Sequence, residues 1–417
     1  MAILTRLLER APQRLPGSPG YEEAARACLD EMRGIGLRAW TESAAVSRWV
    51  RGAGESAASA VFLGRRAADR LVLRAAALGL SEPTPAAGLE APVVEARSFE
   101  ELASLGDRVR GAIVFFNHPM DRTRLDTFSA YGEAAAFRTR GASEAARLGA
   151  VAVLVRSLTL RLDEAPHAGV VTYDPALPRI PAAAVATLDA EALSARLAAA
   201  PGSRVRLRLD CRNEPPGEAP IVVGQWDGTE RPEEVIILAG HLDAWDLSPG
   251  AHDDGAGCAQ AMEAMRILKA LGLRPKRSLR VVLFPDEEYG AGAGKIYAAS
   301  PRRRGEKILA AMESDRGGFL PLGFGLGSDA AFDRLKVWEP VLRACGIQWV
   351  RPGGGGSDVG PLAEQGVVTM GFIPDNQRYF DHHHSALDVL AAVHPRELEL
   401  GAIVEAVMAY VLAQEGI

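Results

Sequence analysis

Four cysteines in 417 residues, Cys28, Cys211, Cys258 and Cys345, lie far apart and form no CxxC pair. Their scarcity excludes a disulfide framework and a closed thiolate zinc site, and it fits a reduced compartment. Basic residues are not in excess: 47 Lys and Arg face 53 Asp and Glu, for a formal charge of −6. A nucleic-acid or anionic-membrane partner would need a clustered positive footprint, which is missing here. No stretch reaches the roughly 18 unbroken apolar residues of a membrane span. The first ten residues are interrupted by Arg6, Glu9 and Arg10, so they lack the apolar run of a signal peptide. The expectation is a cytoplasmic protein as written, or an exported one if the start has been trimmed. Internal repeats, heptad runs and low-complexity tails are also absent from the sequence.

A composition of 48% hydrophobic and 24% charged residues describes a globular chain, and its length suits two to three domains. Turn chemistry at 15–20 precedes an opening helix over 21–32 with Ala24, Ala25, Cys28, Leu29 and Met32 at helical spacing. An Ala, Gly and Pro-rich crossing near 79–92 leads to strands at 111–117, 150–155 and 180–186 and helices at 141–148 and 189–199. This stretch reads as a small α/β insertion. After Asp210 come the continuous apolar runs 235–239, 279–284 and 367–373, with a helix over 256–271 between the first two. Such runs suit strands buried on both faces. The predicted fold is α/β: a mostly parallel open sheet flanked by helices, divided into 1–83, an inserted smaller domain over 84–206, and 207–417.

Open α/β sheets bind ligands beyond the carboxyl ends of their strands. There the sequence sets His241 and Asp243, then His252, Asp253 and Asp254, then Asp286, Glu287 and Glu288, then Glu313 and Asp315, and finally His382, His383, His384 and Asp388. Carboxylates massed at one edge repel one another unless cations neutralise them. Imidazole and carboxylate without thiolate suit zinc in an open catalytic site, and the surplus of carboxylates suggests two ions with one carboxylate between them. Single residues also have ordinary structural readings. Asp254 suits a helix cap, Glu287 and Glu288 alone would pass for a solvated turn, and His118, His167 and His394 read as structural. The run Gly353 to Gly356 lacks the Lys and Ser/Thr of a phosphate loop and reads as a wall of the cleft, with Asp358 orienting it or touching substrate. For Tyr379 packing competes with donation to an oxyanion.

The run 240–246, the pair Glu287 and Glu288, the segment 312–315 and His384 with Asp388 resemble the co-catalytic zinc peptidases of the M28 family, and within it the carboxypeptidase Q group. Residues 138–150 resemble a helix of a protease-associated (PA) domain. The resemblance implies a zinc exopeptidase fold with an inserted PA domain over the cleft. It implies two Zn²⁺, one on His241 and Asp315 and the other on Glu288 and His384, with Asp253 bridging, and Glu287 as the general base. Asp243 would then accept the free ring N–H of His241, and Asp388 that of His384. Asp286 stands where relatives often have a neutral residue, adding a charge near the base. The activity implied is hydrolysis of short peptides, above all unblocked dipeptides. An aminopeptidase would share every ligand, and a non-catalytic binding protein on the same fold would be expected to have lost them. A homodimer is also compatible with the resemblance.

Overall fold

The structure is a computed structural model that describes residues 1–52, 58–64, 69–303 and 305–417. The chain forms two compact units: Met1–Ser47, Pro216–Tyr379 and Asp388–Ile417 make the first, Arg48–Pro215 and Phe380–Leu387 the second. The sequence pattern predicts crossings at 83/84 and 206/207. The observed units divide at other points because strands before residue 84 join the second sheet. Ala58–Leu63 pairs with Arg204–Leu209, and Ala75–Ala77 pairs with Ala182–Val185.

In the first unit, Arg231–His241, Arg277–Phe284, Lys307–Ser314 and Val368–Pro374 form the parallel centre of a sheet. Arg212–Trp226 flanks it antiparallel to Arg277–Phe284. On the other side Pro321–Leu326 runs antiparallel to Val368–Pro374 and carries Trp349–Pro352. The continuous apolar runs are explained by burial on both faces. Ile236 and Leu238 point to one face, which is covered by the helices Ala2–Arg10, Pro19–Gly34, Ala256–Ala270 and Pro395–Glu415. Val235, Ile237 and Ala239 point to the other, against Phe284, Tyr297, Val359 and Leu362. Each such Leu, Ile or Val contributes about 1.5–3 kcal/mol by burial, so a charge in place of the fully buried Leu238 would break this layer.

The helix Ala2–Arg10 is not among the sequence expectations. Its charged residues interrupt an apolar run but leave Ile3, Leu4, Leu7 and Leu8 on one buried face, as an amphipathic helix requires. In the second unit, Leu89–Ala96, Ile113–Phe116, Ala152–Arg156 and Ala182–Val185 run parallel, with Val114, Phe116, Val153 and Val155 in the core beneath the helix Gly141–Arg147. Among the described residues, no helix is long and apolar enough to cross a membrane.

Candidate metal centre

The centre is built where the parallel strands of the first unit end. His241 is the last residue of Arg231–His241, and Asp315 follows Lys307–Ser314, which pairs with it directly. Asp253 lies in the turn before the helix Ala256–Ala270. His241 Nε2 stands 3.1 Å from Asp253 Oδ1 and 3.3 Å from Asp315 Oδ1, and one ligand atom from each of the three falls within 4.8 Å of the others. On the far side of the ring, Nδ1 lies 3.0 Å from the main-chain oxygen of Asp243. A carbonyl oxygen can only accept, so the proton sits on Nδ1 and the Nε2 lone pair faces two carboxylate oxygens. Three lone pairs converging on one point require a cation there, a proton or a metal ion. In the absence of metal, burial would lower the pKa of His241, but Asp315, Asp243 and Asp253 overcome this and hold it well above its ordinary value. One nitrogen and two oxygens form a donor set suited to a divalent cation.

Asp243 is fully buried and links this cluster to the acidic loop. Its carboxylate accepts the backbone N–H groups of Glu287 at 3.3 Å and of Glu288 at 3.2 Å. The carboxylate Oδ1 is 3.5 Å from His241 Nδ1, farther than the main-chain oxygen. The sequence reading assigns the histidine partner to the side chain, whereas in the structure the carbonyl is the nearer acceptor and the side chain orients the Glu287–Glu288 loop. Glu287 is half-buried, and burial followed by the charges of Asp315 and Glu288 pushes its carboxyl well above the usual range. Glu288 is buried and accepts the Trp245 indole N–H at 2.5 Å. The extra acid, Asp286, is buried, and burial together with Asp243 pushes it up to about 7, which suppresses the charge it would otherwise add.

Asp254 acts as the cap expected of it, accepting Gly257 N–H at 3.0 Å, and it also accepts His241 N–H at 3.1 Å. Its peptide bond with Asp253 is cis. Asp388 accepts the N–H groups of His252 at 2.7 Å and Asp253 at 3.0 Å. It therefore holds the turn of the central ligand candidate through the backbone. His252 stacks on Phe319 at 4.2 Å and accepts Gly318 N–H, a packing role. Glu313 accepts the N–H groups of Asp358 and Val359, and Gly356 is required beside it, because a Cβ there would fall 2.0 Å from the Glu313 carboxylate. Tyr379 is buried, and burial and Asp253 push its phenol well up, so it stays protonated. His384 belongs to the Phe380–Leu387 segment of the second unit, where its Nδ1 lies 3.5 Å from Arg138 Nη1.

Sequence reasoning missed Arg14. Its fully buried guanidinium donates to the carbonyls of Leu242 at 2.7 Å, Pro249 at 2.5 Å and Gly250 at 3.0 Å, tethering the loop between His241 and Asp253. Nothing in the local pattern marks it, since a lone arginine in a Pro and Gly-rich stretch reads as solvated. Trp245 was missed for a similar reason, because its contact with Glu288 spans 43 residues.

Histidine and carboxylates gathered at the carboxyl edge of a parallel-centred sheet, with a raised carboxyl beside them, define a metal-dependent hydrolase. The profile of peptidase family M28 matches residues 222–411. Carboxypeptidase Q of Bos taurus is 34% identical over 414 residues, covering 98% of this chain and 84% of its own. Carboxypeptidase Q of Homo sapiens is 33% identical over 412 residues, with the same coverage. The crystal structure of a peptidase M28 precursor from Shewanella amazonensis SB2B is similar with a TM-score of 0.93 at 30% identity, covering 100% of this chain and 93% of that one. A zinc aminopeptidase from Bacillus subtilis shares the fold, with a TM-score of 0.69 at 18% identity, covering 100% and 95%. The chain belongs to peptidase family M28 and is a metallopeptidase.

Proposed function

We propose that the protein is a di-zinc exopeptidase hydrolysing short peptides, with unblocked dipeptides as its main substrates. The observation that carries the reading is the convergence of His241, Asp253 and Asp315 on one point, with the backbone of Glu287 tied to the same cluster through Asp243. His241 and Asp315 would hold one zinc and Asp253 would be shared. The resemblance of the residues assigns Glu288 and His384 to the second. When bound, zinc supplies Lewis acidity: it makes water a competent nucleophile near neutral pH and draws electron density from the scissile carbonyl.

The chain's own residues do the rest. Glu287 Oε takes the proton of the attacking water as its oxygen bonds to the carbonyl carbon. It then delivers that proton to the departing amine nitrogen as the C–N bond breaks. A carboxyl raised by burial is a stronger base than a solvated one, which suits both halves of the transfer. Asp243 holds the loop that aims Glu287. The similarity to carboxypeptidase Q supports the dipeptide reading, and the resemblance of residues 138–150 carries the reading of the inserted domain as PA-type.

Metal content by elemental analysis, combined with a screen of unblocked dipeptides, tetrapeptides and aminoacyl anilides, tests the proposal. Two zinc per chain and a kcat/KM at least about tenfold higher on dipeptides, or about 1.4 kcal/mol of differential binding, are expected. Equal turnover of anilides and tetrapeptides would replace the dipeptidase with an aminopeptidase. Absence of turnover on all three would favour a binding protein on this fold.

A further inference from the structure

After Tyr379 the chain leaves the first unit for eight residues, Phe380–Leu387, and rejoins it at Asp388. Within those eight, His384 has a backbone φ of 59°, a left-handed conformation that a side chain with a Cβ rarely adopts. Two consecutive residues of the second unit bond to the backbone on either side of it. His167 Nδ1 lies 2.7 Å from the carbonyl oxygen of His383, and Ala168 N–H donates to the carbonyl of His384 at 2.9 Å. The first carbonyl belongs to the peptide plane before the His384 Cα and the second to the plane after it. Pinning both planes sets φ and ψ of His384, so the strained conformation is maintained from outside the segment, as such outliers require.

His167 is itself buried and oriented. Its N–H donates to Ser157 Oγ at 2.8 Å, and its Nε2 faces Asp163 Oδ2 at 3.7 Å. Since the His383 oxygen only accepts, His167 donates through Nδ1. Gly169, two residues after His167, allows the His384 ring to sit close. A Cβ at 169 would fall 2.7 Å from His384 Nδ1 and 2.6 Å from the Arg138 guanidinium carbon. Arg138 in turn donates to Tyr131 Oη at 2.5 Å, and Tyr131 stacks on Phe380 at 4.5 Å, which holds the start of the segment.

We propose that His167 is a positioning residue: with Ala168 it clamps the two peptide planes flanking His384 and so presents that imidazole as a metal ligand. This assignment rests on the reading of His384 as a ligand. His167→Ala, in the full chain, should fold normally by circular dichroism and bind one zinc about 10–100-fold more weakly in chelator competition, the usual effect of losing a residue that orients a ligand. His167→Asn should restore binding to within about threefold, because the Asn amide N–H sits where Nδ1–H does. His167→Gln, whose amide matches Nε2 instead, should behave like Ala.

Combined with His384→Ala, His167→Ala should weaken zinc no further. General damage to the second unit would add to the loss, and additivity would overturn the proposal. A folded His167→Ala with parental zinc affinity would also overturn it, provided His384→Ala alone loses a zinc. If His384→Ala keeps both zincs, the ligand reading beneath the proposal fails instead. Should His167→Ala not fold, the Asn and Gln variants decide, and equal zinc affinity of the two refutes the clamp.

Discussion

Asp243→Asn isolates the coupling between the histidine and the acidic loop. The substitution keeps the side-chain volume and leaves the main-chain oxygen in place against His241 Nδ1, 3.0 Å away. The side chain's two bonds, to Glu287 N–H at 3.3 Å and Glu288 N–H at 3.2 Å, are amide-to-carboxylate bonds worth about 1.5–3 kcal/mol each. Asparagine can keep one of them through its oxygen, but it turns an NH₂ toward the other N–H, so one bond is lost and two donors oppose each other. At about 1.4 kcal/mol per factor of ten, loss of one bond corresponds to roughly 10–150-fold if it falls wholly on the aim of Glu287 and Glu288. Steady-state hydrolysis of unblocked dipeptides, with zinc measured on the same samples, reads the effect. The expected result is a kcat/KM lowered by about 10–100-fold with zinc affinity falling alongside it, because Glu288 shares the displaced loop. Parental kcat/KM and zinc affinity in a folded Asp243→Asn protein would refute the coupling and reduce Asp243 to a buried structural acid.

Glu287→Gln should lower kcat by at least about 10²–10⁴ while zinc content stays at the parental value, and near-full activity would remove Glu287 from the proton transfer. Arg14→Met withdraws the guanidinium from the carbonyls of Leu242 and Pro249, whereas Gly250 keeps the Gly255 N–H at 3.1 Å. One buried and one half-buried acceptor left without it cost about 1–3 kcal/mol after relaxation, measurable by urea unfolding, and a change below about 0.5 kcal/mol would show the tether to be dispensable. Glu405 is buried in the C-terminal helix, and burial, opposed by Ser314, pushes its carboxyl from 4.5 up to about 8. Between those values the folded state binds more protons than the unfolded, so the stability present below about pH 4.5 is lost as the pH rises through 8. Glu405→Gln cannot ionise and should gain about 2–4 kcal/mol on the parent at pH 8 and much less at pH 5, and parallel pH–stability curves would contradict this.

The sequence by itself determined the central strands, because a strand covered on both faces needs an unbroken apolar run, and 235–239, 279–284 and 367–373 supply three. It also made His241, Asp253, Glu287 and Asp315 legible as one set, because residues just beyond parallel strands share an edge whatever the loops between them do. Elements patterned otherwise were not legible. The helix Ala2–Arg10 is short and one-third charged, and the long ribbon strand Arg212–Trp226 begins with exposed residues and two prolines. Tertiary structure alone decided which unit residues 48–83 join, since strand pairing links residues more than 100 positions apart. It also decided what each acid accepts. Asp388 follows His384 by four positions, yet its partners are amide groups 135 and 136 residues away. Arg14 serves carbonyls more than 200 residues distant. Residue type constrains which ligands are possible, but hydrogen bonds act over about 3 Å, and only the folded chain determines which distant groups come within that reach.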